Sequence, residues 1–135
     1  MQGRCLCGAV AFELDDAALG AAPMSHCHCS MCRKAHGSAF ATYTGARGGA
    51  FRFTTDEDAI AHYESSPGFR RSFCRTCSSV VPMGFGDGDA AWWVVPAGLL
   101  DGDPGTRPSS HFYAASAAPW YTIPDGLEQH AADAA

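Results

Sequence analysis

Three cysteines fall within six residues in the stretch His26-Cys27-His28-Cys29-Ser30-Met31-Cys32-Arg33-Lys34. The C-x-C-x-x-C spacing lets a tight turn through Ser30 and Met31 bring all three sulfurs to one centre. Thiolates so spaced suit a soft tetrahedral cation, usually zinc. Three protein ligands leave a fourth coordination position open, as in catalytic zinc sites. Such a centre carries a net charge of about −1, against about +2 for a three-histidine site. It is a weak Lewis acid toward water but well suited to holding an incoming thiol as thiolate. A histidine in the fourth position would instead close the site, and His26, His28, His36 and His111 are the candidates.

Four more cysteines form two short pairs, Cys5-x-Cys7 and Cys74-x-x-Cys77. Spacing alone permits two partitions. In one, Cys29 and Cys32 join Cys74 and Cys77, leaving Cys5, Cys7 and Cys27 over. In the other, Cys5, Cys7, Cys74 and Cys77 share one structural ion, and Cys27, Cys29 and Cys32 form the second site. Seven thiols cannot all pair as disulfides. The N-terminus carries no secretory signature. The expected compartment is therefore the reducing cytoplasm, where cysteine clusters read first as metal or redox sites.

Composition narrows the partners. The chain has 135 residues, which predicts one domain over 1–135. A formal net charge of −5, with Lys34 the only lysine, argues against nucleic acid or an anionic membrane surface. The longest apolar run, 90–97, is too short to span a bilayer.

The elements that must position the cysteines read as short strands. Val10, Phe12 and Leu14 alternate with Ala11 and Glu13, predicting a strand with one buried face. Residues 15–23 read as a loop. Ser30 is a candidate N-cap for a short helix that Gly37 would end. Residues 38–44 alternate again, and Gly45-Ala46-Arg47-Gly48-Gly49 reads as a turn. Phe51–Phe53, 60–63 and 92–95 are further strands, the last covered on both faces. Asp56-Glu57-Asp58 is a solvated acidic turn, and Asp87-Gly88 fits a hairpin. Four prolines after Gly98 suppress long elements, and 127–135 reads as a frayed helix. The fold class expected is mainly β, made of small sheets with short helical turns. The aromatics Phe40, Tyr43, Phe51, Phe53, Phe73, Trp92 and Trp93 are core candidates. Trp120 either walls a pocket or pins the C-terminal segment.

The order of these motifs resembles the glutathione-dependent formaldehyde-activating enzyme (GFA) family, which includes the domain of centromere protein V. The matching stretches are Gly3-Arg4-Cys5-Leu6-Cys7-Gly8 through Phe12, His26 through Lys34, and Gly37 through Ala41. Further on come Phe73 through Cys77 with Ser79 and Pro82, then Gly98 through Asp101, His111 and Pro119-Trp120. They run from Gly3 to about Leu127. The resemblance implies a β-tent fold and two zinc ions per chain. It gives Cys5, Cys7, Cys74 and Cys77 to a structural zinc, and Cys27, Cys29 and Cys32 to the site associated with catalysis. It implies carbon–sulfur lyase chemistry, in which glutathione adds to formaldehyde or another small aldehyde and S-hydroxymethylglutathione forms. Glutathione brings two carboxylates, for which Arg33, Lys34, Arg70, Arg71 and Arg75 are candidate partners. His26 or His28 could move a proton at the aldehyde oxygen. The alternative within the same fold is a non-catalytic zinc module for partner binding or thiol sensing. One departure from the family pattern is Ser78, where glycine is usual and would ease a left-handed turn.

Overall fold

The computed structural model describes residues 1–132. Strands dominate and fall into three small sheets with no closed barrel. The first sheet joins β1 (Gln2–Arg4), β2 (Ala11–Leu14) and β5 (Phe51–Phe53) in the order β1-β2-β5. A six-stranded sheet contains β3 (Met24–Cys27), β4 (Ala41–Arg47), β8 (Met83–Phe85), β9 (Trp92–Pro96), β10 (Pro108–Phe112) and β11 (Glu128–Gln129). Its order is β11-β10-β3-β4-β9-β8. The hairpin of β6 (Ile60–Ser66) and β7 (Phe69–Cys74) forms the third sheet.

Sequence alternation sets the packing. Phe12 and Leu14 of β2 are buried on one face, as their spacing requires, and join Leu19, Ala46, Phe51 and Val95 in one core cluster. The Phe51 ring stacks on Trp93 with centroids 4.2 Å apart, which ties the first sheet to the second. A second cluster of Val10, Ile60 and Val81 closes around Cys5 and Cys74. One cysteine of each pair is thus built into the apolar interior.

Several elements differ from the sequence expectation. Helix α1 (Asp16–Leu19) occupies part of the expected loop, because Leu19 is drawn into the first core cluster. Helix α2 (Ser30–His36) begins one residue earlier than an N-cap at Ser30 implies. Cys29, not Ser30, is its N-cap, with Sγ accepting from Cys32 N at 3.2 Å. Gly37 ends α2 in the left-handed region (φ 61°). Strand β4 runs on through Gly45 to Arg47, where a turn was expected. A Cβ at Gly45 would collide with the Trp92 ring, so this glycine permits close strand packing and does not turn the chain. Trp92 itself is 37% exposed, so β9 is not covered on both faces. In the C-terminal segment, Glu128 and Gln129 pair in parallel with Ser110 and His111 where a helix was expected. Residues 130–132 are likewise not helical, and 133–135 lie outside the described residues.

Candidate metal centres and the cavity beside them

Two turns build the first cluster. The Cys5–Cys7 turn precedes β2, and Leu6 at its tip is 88% exposed. The Cys74–Cys77 turn leaves the end of β7. Its return is made by Ser78 at φ 64°, with Ser78 N donating to Cys74 O at 2.9 Å. The left-handed turn is therefore present although serine carries it. The four sulfurs all lie within 4.8 Å of one another. Cys5 and Cys7 are 3.7 Å apart, as are Cys7 and Cys74. Four sulfurs about 2.3 Å from a tetrahedral zinc would be separated by about 3.8 Å, whereas a disulfide needs about 2.05 Å. Backbone amides already point at the sulfurs, Val10 N at Cys5 (3.3 Å) and Thr76 N at Cys74 (3.4 Å). Such donors stabilise thiolate charge. The donor set, its spacing and its surrounding amides all fit zinc.

Protons are unequally shared in this cluster. Hydrogen bonding from Ser79 pulls Cys77 down to about 5. An Ala9 amide lowers Cys7, but burial and the neighbouring thiols outweigh it and push Cys7 up to about 11. Thiols this close divide protons among themselves, and a soft cation would replace those protons.

The second cluster gathers Cys27 at the end of β3, Cys29 in the following bend and Cys32 in the first turn of α2. Their sulfurs lie within 4.8 Å of one another. The structure thus realises the second of the two partitions. Cys32 is drawn down to about 4 by its hydrogen bond with Cys27, against the effect of burial. Cys27 moves the other way, raised by that same bond and by burial. Tyr43 Oη donates to Cys32 Sγ at 3.4 Å, and its oxygen is left to accept from His36 Nε2 at 3.1 Å. Burial, then the charge on Cys32, raises the Tyr43 phenol well above its ordinary value, so it stays a donor. The buried Arg71 guanidinium sits over the same sulfur, its two terminal nitrogens 3.9 and 3.8 Å away. Its Nε has no partner among the described residues.

None of the four candidate histidines joins the three sulfurs. His26 Nδ1 pairs with Thr42 Oγ1 at 2.7 Å, and His36 with Tyr43. His28 and His111 are both fully buried and bonded to each other, Nε2 to Nδ1, at 2.8 Å. His111 Nε2 also reaches both Asp125 carboxylate oxygens at 3.0 Å. Its hydrogen donates there, so Nδ1 accepts from His28 and the His28 Nδ1 lone pair is buried without a partner. This chain ties the C-terminal segment to the Cys27–Cys29 bend. The parallel register His26 to His111 and Cys27 to Phe112, with His28 N donating to Phe112 O at 2.9 Å, ties it again. Asp125 escaped the sequence reading because an acid in a proline-spaced tail has no local signature.

The three sulfurs line a cavity of about 580 Å³ together with Tyr43, Thr44 and Arg71. Neither His26 nor His28, the candidate proton carriers, lines it. Of the five candidate cations only Arg71 does. Arg33 Nε donates to His28 O (3.3 Å), Arg75 Nε donates to Asp58 O (3.0 Å), Arg70 faces a different cleft, and Lys34 is exposed. Trp120 is 72% exposed, while its neighbour Tyr121 packs on Phe40 at 5.6 Å.

A crystal structure of a Rhodobacter sphaeroides protein has the same fold, with a TM-score of 0.61 and 28% sequence identity. The match covers 76% of this chain and 90% of that one. No curated protein matches the chain. Among the described residues, no helix is long and apolar enough to cross a membrane. The sequence model of one family spans residues 1–116, taking in both cysteine clusters, Tyr43 and Arg71. The chain belongs to the glutathione-dependent formaldehyde-activating enzyme family.

Proposed function

We propose that this chain is a zinc-dependent carbon–sulfur lyase-type enzyme that makes or breaks the adduct of a thiol with a small aldehyde. Cys5, Cys7, Cys74 and Cys77 hold a structural zinc, and Cys27, Cys29 and Cys32 hold a second one at which a substrate thiol is handled. The carrying observation is that only the second cluster has three sulfurs and opens onto a sizeable cavity. A purely structural zinc has no need of such a cavity, and turnover separates an enzyme from a thiol-sensing module.

Bound by three thiolates, zinc supplies a soft centre that keeps a substrate thiol deprotonated near neutral pH. The chain's own residues do the rest. Tyr43, held protonated, and Arg71 fix Cys32 and counter its charge. The Arg71 guanidinium, which lines the cavity beside Cys32, is the cation suited to the oxygen of an aldehyde as negative charge gathers there. In the addition, sulfur bonds to the carbonyl carbon, the carbonyl π pair moves to oxygen, and the thiol's proton ends on that oxygen. Cleavage runs the same steps backward. Glutathione and formaldehyde, the pair in the family's description, are the first substrates to assay.

The test is NMR exchange spectroscopy at equilibrium, reading interconversion of free thiol plus aldehyde with the hemithioacetal. The zinc-loaded protein should raise the exchange rate above the spontaneous one, and Cys32→Ser should return it to background. An unchanged rate with the wild-type protein, over a range of thiols and aldehydes, contradicts the proposal.

A further inference from the structure

Much of the remaining cavity wall is apolar. Beyond the three sulfurs, Phe69, Met83, Phe85, Trp92, Val94 and Phe112 line it. Phe69 and Phe85 meet with ring centroids 5.3 Å apart, and the Arg71 guanidinium lies 5.0 Å over the Phe69 ring. Trp92 is placed by Gly45, whose missing side chain leaves room for the indole. Apart from the three cysteines, Arg71 is the only charged side chain among the described lining residues, and its two terminal nitrogens already face Cys32.

From this geometry we infer that the thiol accepted at the three-cysteine site is one with an uncharged, apolar body, rather than glutathione. The inference rests on the lyase reading above and narrows its substrate class. Glutathione would bring two carboxylates and an ammonium group beside an anionic sulfur cluster. A single, already engaged guanidinium cannot pair both carboxylates, and an unpaired charge on an apolar wall loses its hydration without return. An alkyl or aryl thiol meets the same wall favourably, since burying apolar surface is the main source of affinity in such a cavity. Formaldehyde and a sulfur atom fill a small part of about 580 Å³, so the cavity has room for a sizeable substituent on the thiol, and the apolar lining sets the character of that substituent.

The experiment uses the purified, zinc-loaded full chain and a homologous series of thiols from ethanethiol to hexanethiol, with glutathione alongside. Binding is read by calorimetry and by intrinsic tryptophan fluorescence in a Trp93→Phe/Trp120→Phe background, which leaves Trp92 as the reporter. Affinity should rise about fourfold for each added methylene, the equivalent of about 0.8 kcal/mol per buried CH₂. Glutathione should bind more weakly than hexanethiol by at least about tenfold. Phe85→Ala should flatten the dependence on chain length while leaving zinc content unchanged. The wild-type series stands as a test whether or not that variant folds. Affinity independent of chain length, or glutathione binding tighter than hexanethiol, overturns the inference and leaves the lyase reading intact. If no thiol binds, glutathione included, the lyase reading itself falls and the inference with it.

Discussion

Replacing His111 with phenylalanine tests whether the C-terminal segment is held through a buried histidine pair. A flat ring still fills the site, so the cavity cost of truncation is avoided, and the slightly larger phenyl adds a packing cost that the single and double variants share. Two interactions are lost, the 2.8 Å bond to His28 and the pair with Asp125. Asp125 is exposed and rehydrates. His28 is fully buried and cannot, so its Nε2 is left without a partner. An orphaned buried donor costs about 1–3 kcal/mol. A central value of about 2 kcal/mol corresponds to a drop in Tm of roughly 6–10 °C for a chain of this size. The double variant His28→Phe/His111→Phe removes both partners, and with them the unpartnered His28 Nδ1. It should be less destabilised than the sum of the single variants by about 0.5–3 kcal/mol. The assay is chemical denaturation of all four proteins at constant zinc. A His111→Phe cost below about 0.5 kcal/mol, or strict additivity of the two changes, would refute the reasoning.

Three further outcomes follow from named contacts. Ser78→Gly should stabilise the chain by about 0.5–1 kcal/mol, because serine sits at φ 64°, which glycine adopts freely. Denaturant midpoints check this, and a loss of stability would show that the serine side chain matters more than its backbone strain. Arg71→Met should lower the adduct exchange rate by more than tenfold (about 1.4 kcal/mol or more) while keeping zinc bound, since the guanidinium faces Cys32 without being a ligand. Metal analysis alongside the rate separates that outcome from simple loss of the ion. Burial depresses the His36 pKa below that of an unfolded histidine. As pH falls, the unfolded chain takes up the proton first, so this contribution to stability is full above about pH 6.5 and is lost below it. Tm should therefore fall less between pH 7 and pH 5 in His36→Gln than in the wild type. Equal slopes would remove His36 from the account.

The sequence carried much of this. Seven cysteines in three short motifs located both sulfur clusters, because ligand spacing is local chemistry that survives without coordinates. Period-two alternation found β2, since Phe12 and Leu14 had to face one core. Choosing between the two partitions was a different matter. It depends on the β6–β7 hairpin carrying Cys74 to the Cys5 turn, a long-range pairing that local spacing cannot express. The same limit hid Asp125, which lies fourteen residues from His111 in an irregular segment and becomes significant only through a buried contact. Strand β4 was cut short at Gly45 because a glycine cluster reads as a turn. The indole that fills the space above it comes from another strand. The arginines beside the cysteines looked interchangeable in sequence, and burial separated Arg71 from the others.

Zinc X-ray absorption on the purified chain, before and after saturation with a tightly binding thiol, tests the central claim most directly. One site with four sulfurs and one with three should average about 3.5 sulfurs per zinc at about 2.3 Å, with two zincs per chain. Thiol should raise the average to about 4, with no change in metal content. A single zinc per chain, or an average that stays at its starting value when thiol is bound, would contradict the account.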